Sequence, residues 1–126
     1  MHAMELIIEK ADVGFLGRVH CEDNLIIDEA DNLETLEENI KKALKEFHGL
    51  NPKDVKFERK YDLSALFEKF NYLKISIVAE LAGLNASLLR QYVTGVKHPS
   101  VSQAKKIEEA IHRIGNELNR IHVYAE

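Results

Sequence analysis

Residues 78–100, VAELAGLNASLLRQYVTGVKHPS, constrain the fold of this chain more than any other stretch. They read as two short helices around a tight turn. Ala79 stands four residues before Gly83, on one side of a helix at its C-terminal end. Gly83 can take the left-handed conformation that stops a helix, having no Cβ to clash. Leu84 then plugs the angle between the helices, and Asn85 caps the second one. Leu88, Leu89 and Tyr92 make one side of that helix apolar, whereas Ala86, Ser87, Arg90 and Gln91 face elsewhere. Gly95 ends it, and Pro99-Ser100 opens another. An ordinary helical hairpin in a bundle is the plain alternative, but the offsets from Ala79 to Pro99 agree together as a helix-turn-helix. That motif docks its second helix in a DNA groove, so the expectation is DNA binding.

A length of 126 residues suits one medium domain or two small ones, with 45% apolar and 30% charged residues as in a globular protein. No apolar run approaches the roughly 20 residues of a membrane span. The first residues lack the basic-then-apolar pattern of a secretory signal, so a cytoplasmic location is expected. Cys21 is the single cysteine, which excludes an internal disulfide and a multi-cysteine zinc site. The net charge of −4 is unevenly spread. Residues 1–62 hold 9 Lys/Arg against 15 Asp/Glu, and residues 63–126 hold 8 against 6. An acidic half repels a phosphate backbone and attracts a basic protein. The mildly basic half contains the helix-turn-helix, and its small surplus favours a dimer that presents two reading helices.

The expected fold class is α+β, a small three-stranded meander with one helix and a fourth strand, followed by an all-helical domain. Glu5–Lys10, Gly14–His20 and Leu25–Ile27 read as the meander, with turn residues at Asp12 and Glu22–Asn24. The glycines of the second strand suggest a bend or close backbone approach. A helix opens near Asp31-Asn32, with Glu34 spaced for a capping box. Leu33, Leu36, Ile40, Leu44 and Phe47 form its apolar stripe, and Glu37–Lys41 and Glu38–Lys42 are favourable pairs on its charged side. Val55–Arg59 alternates as a fourth strand, joined by a right-handed crossover and parallel to one strand of the meander. Beyond Asp62 the pattern is helical. Leu63, Leu66, Phe67, Phe70 and Leu73 stripe one helix; Ile75–Ala82 and Ala86–Val93 are the next two. Ser100 and Gln103 box the start of a long last helix, whose stripe runs Val101, Ala104, Ile107, Ile111, Ile114, Leu118 and Ile121. Its far end can pack against a second copy, and Gly115 either weakens it or admits another helix closely.

An IIEK strand, a glycine-containing second strand and Asp31-Asn32-Leu33-Glu34 opening an amphipathic helix together resemble the HicB fold, a partial RNase H-like unit. The second half is similar to the Cro/repressor type of helix-turn-helix carried by many HicB proteins. The resemblance covers nearly the whole chain. It implies residues 1–60 as a toxin-binding domain and residues 61–126 as a DNA-binding and dimerisation domain. It further implies an antitoxin of a type II toxin–antitoxin system. Such a protein neutralises a small basic HicA-like ribonuclease and represses the shared operon by binding operator DNA. By the same resemblance Ala86, Ser87, Arg90 and Gln91 stand where base edges are read, with Arg90 suited to guanine and Gln91 to adenine at ~1–3 kcal/mol each. Thr94, Lys97 and His98 stand where phosphates are contacted. The chain departs from the family pattern in two places. The helix at Lys74-Ile75-Ser76 lacks the usual Thr-Gln pair, and Ala86 replaces a frequent Gln or Pro.

Catalysis has little to stand on. Asp12, Glu22, Asp23 and Asp28 are the carboxylates a metal-dependent nuclease would need, yet most fall in turns. The six histidines show no ligand spacing, and His20 and Cys21 are strand neighbours that point to opposite faces. The expectation is a binding protein, neither an enzyme nor a holder of metal or cofactor. The rival readings are a free-standing transcription regulator whose sheet domain senses a small molecule, and a metal-dependent nuclease.

Overall fold

The computed structural model describes residues 2–126. In chain order the elements are β1 (His2–Lys10), β2 (Phe15–Cys21), β3 (Asn24–Ala30), α1 (Leu33–His48), a 3-10 turn at Pro52–Asp54, β4 (Val55–Tyr61), α2 (Leu63–Lys69), α3 (Ile75–Ala82), α4 (Ala86–Thr94) and α5 (Val101–Leu118). The architecture is α+β, a small mixed sheet with a helix on it and then several helices. Two compact units divide it, Met1–Lys69 and Phe70–Glu126.

In the first unit the strands lie in the order β3-β2-β1-β4. β1, β2 and β3 pair antiparallel as a meander, and β4 joins the outer side of β1 in parallel, His2 opposite Val55 and Ile8 opposite Tyr61. Alternation puts Leu6 and Ile8 of β1, Phe15, Val19 and Cys21 of β2 and Val55 of β4 into one core, together with Leu33, Leu36, Ile40 and Leu44 of α1. Each fully buried Leu or Ile contributes ~1.5–3 kcal/mol of transfer free energy, so this face holds the unit together. Gly17 is the close approach expected of the second strand. A Cβ there would meet Leu36 Cδ2 at 2.8 Å and Leu6 Cδ1 at 3.1 Å.

Several local expectations are corrected. β3 runs to Ala30, beyond Ile27, because it stays paired with β2 as far as Phe15. Of Asp31 and Asn32, either of which could cap α1, it is Asn32 that does so, its side chain accepting from Thr35 N at 2.8 Å. Phe47 is exposed, because the buried side of α1 passes from Leu44 to His48, four residues on, whose side chain is 6% exposed. Glu37 accepts from Arg59 Nε of β4 at 2.8 Å, and Lys41 lies 5.7 Å above the Phe57 ring, so both leave their expected helical pairing for β4. The Glu37 hydrogen bond holds the Arg59 guanidinium well above its ordinary pKa, although partial burial opposes this.

α2 is shorter than its stripe suggested and ends at Lys69, where residues 70–73 form a turn closed by Leu73 N and Phe70 O at 3.0 Å. Asp62 accepts from Ala65 N at 2.8 Å, and its own N–H donates to Ile8 O at 2.9 Å. This tethers the helix to β1, and Ala65 is buried in the sheet core. The division of the chain therefore falls after Lys69 rather than at Tyr61.

In the second unit α3 ends at Gly83, whose φ of 71° is left-handed, and Leu84 N donates back to Ala79 O at 2.9 Å. Asn85 caps α4 by accepting from Ser87 N at 2.8 Å. Val78, Ala79, Leu89, Tyr92, Ile107 and Ala110 are the buried residues of α3, α4 and α5. Two features of α5 differ from the sequence reading. Ser100 does cap it, accepting from Gln103 N at 3.2 Å, but the Gln103 side chain accepts from the Tyr92 hydroxyl instead of closing a capping box. Val101 and Ala104 are exposed, and the helix stops at Leu118, leaving Ile121 beyond it.

Candidate nucleic-acid interface

α4 is positioned by its buried side and presented by the other. Leu89 is fully buried and Tyr92 nearly so, with the Tyr92–Gln103 hydrogen bond tying α4 to α5. Helical spacing then fixes the opposite edge. Ser87 and Arg90 are exposed there, while Ala86 and Gln91 are half-buried beside them. Asn85 uses its side chain on the helix start, so Ser87 Oγ remains available to a ligand. After α4, Thr94 Oγ1 donates to Gln91 O at 3.3 Å and Lys97 N donates to Gln91 O at 3.2 Å. These bonds shape the loop that carries the exposed Lys97 and His98. All seven residues singled out from the sequence thus fall on one helix and the loop that follows it.

The electrostatics of this region extend further than the sequence reading reached. Between Glu80 and Glu108 there is no Asp or Glu, whereas Arg90, Lys97, Lys105 and Lys106 all occur there and all are exposed. Lys105 and Lys106 lie in the second turn of α5, whose first amides are capped by Ser100. A search for acid-free stretches would have found them. Periodicity drew attention to the apolar stripe of this helix instead. Exposed cations on α4, on the loop after it and in the second turn of α5 suit phosphate oxygens.

No family model, curated protein or solved structure matches this chain. What it can bind must be read from its own surfaces.

The first unit offers a second surface. The sheet face away from α1 is uncovered by any helix of that unit. Leu25 and Ile27 of β3 are exposed on it, next to half-buried Leu16 and Ile7. The Arg18–Glu9 pair at 2.9 Å and the Lys60–Glu5 pair at 3.0 Å surround them. The carboxylates considered for metal binding are dispersed. Asp28 accepts from Glu29 N, and Glu22 lies 3.7 Å from His48 Nδ1. Among the described residues no three His, Cys, Asp or Glu side chains gather as a metal site. His20 is exposed while Cys21 is buried, so the two do not act together, and burial followed by the Glu22 charge pushes the Cys21 thiol up. No helix among the described residues is long and apolar enough to cross a membrane.

Proposed function

We propose that this chain is a sequence-specific DNA-binding repressor whose helix-turn-helix is α3, the Gly83–Asn85 turn and α4. The observation that carries the reading is the outer edge of α4. Arg90 and Ser87 stand exposed on a helix fixed from behind by Leu89 and Tyr92, inside a region without one carboxylate. Arg90 donates to the O6 and N7 of a guanine, and Gln91, exposed along part of its side chain, reaches an adenine. Thr94, Lys97, His98, Lys105 and Lys106 hold the backbone and set the register.

The first unit is proposed as the protein-binding half of an antitoxin of the HicB kind, with a partial RNase H-like fold. Its Lys/Arg and Asp/Glu counts are 10 and 16, and its open sheet face carries apolar residues among charges. Such a surface suits a small basic protein of the ribonuclease-toxin class, neutralised by being covered. On this reading the chain performs no catalysis itself and needs no cofactor. Co-expression with the small basic protein encoded beside it tests the pairing. A stable complex and toxicity of that protein alone are the expected results; an inert, non-binding neighbour contradicts the antitoxin role. A ligand-sensing regulator would instead bind a small molecule through its first unit and require no such partner.

A further inference from the structure

The second unit leaves an apolar groove of about 490 Å³ uncovered between the turn before α3, α3 itself and the end of α5. Tyr72, Leu73, Ile77, Leu81, Ile114 and Leu118 line it, with Lys74 and Glu117 on its lips. A smaller hollow of about 160 Å³ adjoins it at Ile111 and Gly115, and a Cβ on Gly115 would meet nothing within 4 Å. The same unit also carries apolar side chains that nothing of its own covers. Ile121, Val123 and Tyr124 follow α5 and are 59, 89 and 86% exposed, and Tyr72 at the groove is 72% exposed.

We propose that segment 119–126 of a second copy fills this groove, each copy giving its segment to the other in a two-fold pair. Three observations select this occupant. The segment is apolar where the groove is apolar. It carries Arg120 and Glu126 at its two ends, opposite in sign to Glu117 and Lys74 on the groove lips. The exposed area is also sufficient. Two tyrosines of roughly 150–250 Å² each, with Ile77, Leu118, Ile121 and Val123, supply on the order of 700 Å² per copy, close to the ~800 Å² per partner of a stable interface. Reciprocal exchange closes the assembly at two copies, since each groove and each segment is used once. The pairing deepens the repressor reading, on which it rests only for its purpose of bringing two α4 helices together.

The test is the mass in solution of the full chain, measured by sedimentation equilibrium without DNA, alongside two variants. One ends at Leu118 and the other is Ile77→Glu; circular dichroism confirms that both keep their helices. The full chain is expected at twice its 14.4 kDa mass. Each variant is expected to be monomeric, with self-association weakened at least ~10-fold, as follows from the loss of half or more of a small apolar interface. Mixing the two variants keeps one of the two exchanges, since the shortened copy keeps its groove and the Ile77→Glu copy keeps its segment. The mixture should therefore pair more tightly than either variant alone and less tightly than the full chain. A monomeric full chain overturns the proposal, as does a shortened chain that pairs as tightly as the full one. A mixture that pairs no more tightly than either variant alone overturns it too. Absence of DNA from the cell separates these outcomes from any failure of the α4 reading.

Discussion

A methyl group on Gly14 would lie 2.2 Å from the Ala30 carbonyl oxygen and 2.7 Å from the Asp31 Cα, on a backbone whose φ is 76°. Neither neighbour is a side chain that can swing aside. Gly14→Ala should therefore cost about 2–4 kcal/mol, combining left-handed strain with overpacking, and urea denaturation would read it directly. Cys21 gives a pH prediction with a definite sign. Burial and then Glu22 raise its thiol above the ordinary 9.0. Above that value the unfolded chain releases a proton that the folded chain keeps, so stability falls as pH rises toward the raised value. Cys21→Ala should flatten that fall, and native Cys21 should react with thiol reagents far more slowly than the unfolded thiol. Residue identities made much of this legible. A lone cysteine next to an apolar strand position reads as buried, and a glycine after Asp12 reads as a turn. That Gly14 faces the end of β3 was not legible, because the contact spans sixteen positions of sequence.

At the scale of elements, caps and stops were readable and facing partners were not. Asn85, Ser100 and Gly83 act within four residues of their targets, and all three are placed as their chemistry requires. The stripe of α5 was read only in part. Spacing gives the angle of a side chain but not what lies opposite, so Val101 falls on the stripe and is nevertheless exposed. Gln103 likewise has the right spacing for a capping box, yet the hydroxyl of Tyr92 claims it. Two predictions belong here. Replacing both Lys105 and Lys106 with Ala should weaken DNA binding evenly across sequences and lower the salt slope by about 1 per lysine per copy, measured by titration at several salt concentrations. Gly115→Ala adds a Cβ into open space within its own chain. It should stabilise the dilute, monomeric chain by up to about 1 kcal/mol in thermal unfolding, while weakening self-association by crowding the hollow beside the groove.

Over the whole molecule the charge is unevenly spread. The first unit has six more acidic than basic residues, and the second has seven Lys/Arg against five Asp/Glu, with four of those cations and no acid between Glu80 and Glu108. The order of a meander, one helix, a parallel fourth strand and a helical remainder could be read from patterning, since each element carries its own period. The boundary between units could not, because α2 belongs to the sheet through Asp62 and Ala65, a tertiary attachment. The proposed division of roles rests on α4 reading bases. Selection of bound duplexes from a random pool, run with the full chain and with Arg90→Ala, tests that directly. The full chain should enrich a sequence with a fixed guanine in each half-site. The variant should lose preference at that base pair alone, by ~1–3 kcal/mol. An unenriched pool, or an identical sequence selected by both proteins, would contradict the account.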